Sequence, residues 1–206
     1  MRAVFICAIV LLGLLDAGCL DSRPVHYYTI EPPPAPVAPA TPSGPALLVG
    51  NISASMELQD SRIRYRLGAN EVGAYQFQRW SERPGTMISE SLVQALRSSG
   101  KFRSVMESNG TAAGDYQLRG KLYEFDEVDS ETIQTSISLR VDLVDVKTRQ
   151  LVWQHLVKHE EPVRSKNIQE VVASLDRNLQ AVVKETAEGI GHFLEAQPSL
   201  SRTGSN

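Results

Sequence analysis

The sequence predicts a two-layer α+β domain: a largely antiparallel sheet with two main helices packed on one of its faces. Residues 133–143 alternate without a break. Ile133, Thr135, Ile137, Leu139, Val141 and Leu143 fall on one side, and Gln134, Ser136, Ser138, Arg140 and Asp142 on the other, as in a strand with one dry and one wet face. The runs 116–122 and 151–157 alternate as well, the latter with Leu151, Trp153, His155 and Val157 on one side, and short turns make the three an antiparallel meander. Two stretches have helical period, Met87/Ile88/Leu92/Leu96 and Ile168/Val172/Leu175/Leu179/Val182, each with a single apolar stripe. One-sided helices and a one-sided sheet bury their apolar surface most simply when both helices cover the same side.

The chain opens with Arg2, an apolar run over 3–15 and then Ala17-Gly18-Cys19. That is the build of a secretory signal spanning 1–18, and the run is shorter than the ~20 residues a spanning helix needs. Small residues directly before a cysteine resemble the lipobox of bacterial lipoproteins. There the cysteine sulfur takes a diacylglycerol and the new N-terminus is acylated, with palmitate among the chains. Asp16 departs from that pattern, in which leucine usually stands three before the cysteine. The competing reading is a plain secreted protein with a free thiol at Cys19. Cys7 leaves with the signal, so Cys19 is the one cysteine of the processed chain and no intramolecular disulfide can form.

Residues 19–30 are expected to be the lipidated N-terminus and a first strand, VHYYTI at 25–30. The segment 31–45, EPPPAPVAPATPSGP, lacks the donors to join a sheet and should be extended, either as a surface excursion between strands or as a spacer. The domain proper is expected over 46–195, opening with the buried strand ALLVGNI at 46–52 and a loop at 56–62.

The stretch 63–102 organises the rest. Ile63 and Tyr65 lie on one side of a strand and Arg64 and Arg66 on the other. After a break at Gly68 and Asn70, a second extended run carries Tyr75, Phe77, Arg79 and Trp80. Pro84-Gly85-Thr86 then leads into the first helix, which Gly100 stops from the position after the cap. A turn-rich loop, ESNGTAAGD, follows at 107–115. The last helix spans 167–194, with Asn167 and Glu170 at capping-box spacing and Gly189 and Gly191 weakening its end. The polar tail 196–206 is expected to be disordered.

Chemical motifs are sparse. The net charge is −3 and no basic cluster stands out, which argues against nucleic acid as a partner. His26, His155, His159 and His192 are scattered, and the i, i+4 spacing of His155 and His159 on a strand does not set both rings around one ion, so no metal site is expected. With no nucleophile elbow and no glycine-rich phosphate loop, the expectation is a protein without catalytic residues or cofactor. Arg64, Tyr65, Arg66, Tyr75, Arg79 and Trp80 interleave cations with aromatics, a composition suited to a protein interface; the alternative is that the aromatics are core. On the interface reading, Arg64 and Arg79 should tolerate charge reversal.

The order of these pieces resembles the ABC-type transport auxiliary lipoprotein family, from about residue 27 to 194. The resemblance rests on Tyr27-Tyr28-Thr29 soon after the cysteine, then Leu58-x-Asp60-x-Arg62-Ile63-x-Tyr65-Arg66. It continues with Tyr75, Trp80 and Pro84 ahead of the helix, Gly100-x-Phe102, a meander ending in Leu151-Val152-Trp153, and the long final helix. It implies an outer-membrane lipoprotein, anchored through Cys19 and facing the periplasm, that works beside an ABC ATPase, a permease and an Mce-type lipid-binding protein. Such systems move hydrophobic molecules between two membranes and support membrane integrity. This subunit would dock or cap the Mce-type partner and hydrolyse nothing; a homo-oligomer is compatible with that role. The competing class is a structural or assembly lipoprotein of another envelope machine, such as a secretion system.

Overall fold

The computed structural model describes residues 23–31, 44–68, 70–108 and 113–197. Its strands are β1 (His26–Tyr28), β2 (Ala46–Ala54), β3 (Arg62–Leu67), β4 (Glu71–Trp80), β5 (Ser104–Glu107), β6 (Tyr116–Asp129), β7 (Ile133–Asp145) and β8 (Leu151–Pro162). Helix α1 (Pro84–Ser98) lies between β4 and β5, and α2 (Ile168–Ala196) closes the chain. Cys19, the signal at 1–18, most of the proline-rich segment and the tail from 198 lie outside the described residues.

The three long alternating runs form the meander as expected, β6 antiparallel to β7 and β7 antiparallel to β8. The other edge of β6 is shared. β2 runs along its first half, with Leu47 beside Tyr116 and Ala54 beside Leu122, and β3 along its last turn of residues, with Arg64 beside Asp126. Both are parallel to β6. Between them the chain detours through a short 3-10 turn, Met56–Leu58, in the stretch expected to be loop. β5 adds to β2, and β4 then β1 add to β3, giving one eight-stranded sheet. The two longest ladders, β6–β7 and β7–β8, are antiparallel, but β1, β2, β3 and β5 bring parallel pairings that alternation cannot reveal, because it is blind to strand direction. β5 itself was not expected, since four residues are too few to show a period.

Both helices lie on the same face. α1 packs on β2 and β5, α2 on β7 and β8, and the two touch each other. Ile137, Leu139, Val141 and Leu143 of β7 are buried against this layer with Leu118, Leu122 and Phe125 of β6, Leu92 and Leu96 of α1, and Leu175, Leu179 and Val182 of α2. A buried polar seam fixes the register of α2. The Thr135 and Ser174 hydroxyls lie 2.9 Å apart, and the Asn178 amide donates to the carbonyls of Thr135 and His159, each at 3.1 Å.

The helix ends follow the sequence with one exception. Asn167 Oδ1 accepts from the Glu170 amide at 2.9 Å, so half of the capping box forms, while the Glu170 carboxylate turns to Arg177. Gly100 follows the cap with φ +66°, a conformation that disfavours any side chain with a Cβ. Gly189 does not weaken α2, which runs on to Ala196. A Cβ there would sit 2.9 Å from the Trp153 ring, so the glycine is what lets α2 lie down on β8. Leu151 also departs from its expected face. The pairing of β7 with β8 slips by one residue between Trp153 and Leu151, and Leu151 points to solvent.

This register has a direct test. Leu139→Ala should cost about 2–5 kcal/mol, because the cavity opens in the packed layer beneath α2. Ser138→Ala, on the opposite side of the same strand, should cost less than ~0.5 kcal/mol. Equal, small shifts of the two urea midpoints would mean that the side chains of β7 are assigned to the wrong faces.

Candidate functional site

The six cationic and aromatic residues singled out in 64–80 do not form one surface. Alternation sends Ile63 and Tyr65 to the helix side and Arg64 and Arg66 to the open side. On β4 an irregularity in the pairing with β3 reverses the alternation partway along, so Tyr75 and Trp80 both turn towards the core. Trp80 is fully buried, edge to face with Phe125 at 5.4 Å, and is removed from the candidate contact residues. Tyr65 and Tyr75 pack edge to face at 5.2 Å near the end of the sheet. The Tyr75 hydroxyl donates to the buried Glu127 carboxylate; burial, then this bond, raise the Tyr75 pKa, and burial also pushes the Glu127 carboxyl up. Arg79 is half-buried, and its Nε makes no hydrogen bond.

Arg64 and Arg66 are committed to an internal anion. Asp126, whose side chain is 2% exposed, accepts from Arg64 Nε at 3.0 Å and from Arg66 Nη2 at 2.9 Å. Arg64 is itself only 11% exposed and also reaches Glu57 at 3.4 Å. Next to this pair, Glu124 accepts from Ser136 at 2.7 Å and meets Lys158 at 3.4 Å. Burial pushes the Glu124 carboxyl up, but Ser136, Lys158 and Arg66 together outweigh it and hold it below the usual range. The chemistry is structural: two arginines neutralise a buried aspartate and bolt β3 to β6. The expectation that Arg64 tolerates charge reversal is corrected accordingly. Arg64→Glu would set a carboxylate against Asp126 and should cost about 3–5 kcal/mol, read as a drop in urea midpoint, whereas a freely exposed arginine would lose almost nothing.

Sequence reasoning missed three features. Beside the arginine pair, a cleft of about 320 Å³ is lined by Met56, Glu57, Asp60, Arg62, Arg64 and Val72. Met56, at 85% exposure, and Val72 give it an uncovered apolar rim. Only the detour between β2 and β3 assembles this cleft, and nothing local marks it. A second groove, of about 390 Å³, runs between α1 and α2 over Ala95, Val183 and Ala187; Lys101 at its rim is paired with Glu195 at 2.8 Å.

The third feature joins β8 to α2. His155 and His159 both place Nε2 2.7 Å from Glu185, one on each carboxylate oxygen. Their spacing on a single strand face was visible in the sequence; the carboxylate between them was not. No group of three His, Cys, Asp or Glu side chains among the described residues has the geometry to hold a metal ion.

The bonds from His155 and then His159 hold the Glu185 carboxyl below the usual glutamate range. Its folded pKa thus lies under its unfolded one, ~4.3, and the folded chain binds fewer protons. The stabilisation is complete above that pH and fades as pH falls through the folded value. In urea titrations from about pH 7 down to about pH 3, the wild-type advantage over Glu185→Gln should shrink below ~4.3. A gap that stays constant across the range would contradict the linkage.

The residues therefore describe an α+β scaffold whose open sheet face mixes buried ion pairs with uncovered apolar side chains. Among the described residues no helix is long and apolar enough to cross a membrane. A family model described as ABC-type transport auxiliary lipoprotein component matches residues 28–187, and the chain belongs to that family. Among solved structures, protein XCC0632 from Xanthomonas campestris is similar at 21% identity and a TM-score of 0.74, covering 84% of this chain and 100% of its own. An uncharacterised protein matches at 17% identity and a TM-score of 0.65, over 82% and 99% of the two chains. The hypothetical protein CT253 from Chlamydia trachomatis matches at 12% and 0.54, over 75% and 100%. At these identities the likeness is one of fold. No curated protein matches the sequence.

Proposed function

We propose that this chain is a non-catalytic lipoprotein subunit of an ABC-type intermembrane transport system for hydrophobic molecules. It is held at the outer membrane by acyl chains on Cys19 and docks on, or caps, an Mce-type periplasmic partner. The family match over residues 28–187 carries the reading. The uncovered open face, with Met56 and Val72 beside the Arg64/Arg66 ion pair, supports it as a place for a partner to sit. Leu20, rather than aspartate, follows the cysteine, which favours the outer membrane under the enteric sorting pattern.

Two acyl chains or more anchor a protein stably, whereas one binds only marginally. Cys19→Ser should therefore move the chain from the membrane to the soluble fraction with its circular dichroism unchanged. A variant still sedimenting with membranes would rule out the lipid anchor. The anchored wild type should co-purify with an Mce-type protein and its ABC ATPase and permease; recovery instead with a secretion or outer-membrane assembly complex would replace this reading with the assembly-lipoprotein one.

A further inference from the structure

The open face of the sheet is neutralised at one end and cationic in the middle. On β3 Arg64 and Arg66 are spent on Asp126 and Arg62 on Asp60, and on β8 Lys158 is shared between Glu124 at 3.4 Å and Glu160 at 3.3 Å. One row across the centre differs. In the pairing of β2, β6, β7 and β8, the residues Ser53, Lys121, Arg140 and Leu156 stand side by side. On β6, Arg119 lies two residues before Lys121 and shares this face, and Tyr123, at a bulge in the pairing with β7, joins them with its ring centre 5.2 Å from the Lys121 ammonium.

Lys121 and Arg119 form no ion pair among the described residues, although Asp142 stands across from Arg119 in the β6–β7 pairing. Among the described residues no carboxylate lies within 4.0 Å of the charged groups of Lys121 or Arg119, and the Arg119 guanidinium donates instead to the neutral Gln117 Oε1 at 3.0 and 2.7 Å. Arg140 has one neighbour, Asp142 Oδ1 at 3.4 Å from its Nε, and that Nε is buried without a hydrogen bond. The apolar members are uncovered too: Leu156, in the middle of its strand, is 60% exposed and Tyr123 41%. A buried Arg140 donor that makes no hydrogen bond, two cations without an ion pair and a bare leucine lie together on one strip.

We infer that this row is a docking surface for an acidic, apolar segment of a partner protein, whose carboxylates meet Arg119, Lys121 and Arg140 and whose aliphatic side chains cover Leu156 and Tyr123. The inference rests on the docking reading above and adds the chemistry of the segment that docks. Adjacent strands are ~4.8 Å apart, so the row from β2 to β8 spans about 14 Å, the reach of about four extended residues. Arginine and tyrosine are enriched where proteins meet, and opposite charge selects and steers the partner. An anionic bilayer fits less well. The chain carries a net charge of −3, and Asp142, Glu124 and Glu160 flank the row, so a charged plane meets repulsion that a narrow segment avoids.

The test uses the full chain carrying Cys19→Ser, ¹⁵N-labelled, and an acetylated peptide alternating glutamate and leucine as the probe. The largest amide shifts should cluster at Arg119–Tyr123, Arg140 and Leu156 and weaken as salt is added. Arg119→Glu/Lys121→Glu, both on exposed side chains, should weaken the peptide by at least about tenfold, as should Leu156→Ser, while the charge-matched Lys147→Glu/Lys184→Glu leaves it unchanged. Shifts elsewhere, no shifts, or equal affinity in the row variants would overturn the inference. So would row-dependent binding to phosphatidylglycerol vesicles without peptide binding, which would assign the row to a membrane. The same variants are then measured against the Mce-type protein. Affinity retained in the row variants overturns this inference and leaves the proposed function standing. A wild type that binds the peptide at the row but not the Mce-type protein defeats the proposed function and leaves the surface to another acidic partner.

Discussion

A buried strand must pair its backbone on both edges, and β6 is too long for any single neighbour on one of them. β7 satisfies the whole of one edge, from Tyr116 to Asp129. The other is divided between β2 and β3, which lie end to end with the chain detouring between them. That division shapes the rest. It coincides with a bulge on β6 between Leu122 and Glu124; β2 and β5 lie under α1, and from the β3–β4 pair Ile63 and Trp80 reach the same core. It also builds the cleft at Met56, because the detour has to leave the sheet and return.

The shared edge raises a problem that the charges solve. β3 meets β6 over only a few residues, too short a ladder to hold by hydrogen bonds whose net worth is about 1 kcal/mol each. Arg64 and Arg66 reach the buried Asp126 from the same side as their own strand pairing, so breaking the ladder would also strand a buried charge. The arginines are thus structural. Of the cations left over in and beside the row through Lys121 and Arg140, Arg119 and Lys121 form no ion pair among the described residues, and Arg140 meets only Asp142 at 3.4 Å.

Membership of an ABC transport auxiliary lipoprotein family gives the open face a context. Both helices lie on one side of the sheet, and on the other side the backbone is already ordered, so that only the side chains would lose freedom on contact. The His155–Glu185–His159 bridge ties the edge strand β8 to α2 and so keeps that face in position from behind.

Much of the fold was legible in local pattern. Period two marked β6, β7 and β8, period 3.6 marked both helices, Asn167 and Gly100 marked helix ends, and single-sided burial placed the helices on one face. These are short-range properties: the side chain two or four residues away decides them. Strand direction, the sharing of β6 and the reversed alternation on β4 are set by partners tens of residues distant, and so it took the tertiary structure to choose core over interface for Tyr75 and Trp80, a choice the spacing leaves open. The candidate site shows the same split. Arg64 and Arg66 two residues apart, and Glu124 and Asp126 two residues apart, were both present as patterns, but only the parallel register of β3 on β6 set one pair on the other and turned an apparent interface into an internal bolt. What the amino-acid sequence determined by itself was the set of elements and their wet and dry sides; which charges remain free was decided by tertiary structure, because a charge is free only once every neighbour that folding brings to it has been counted.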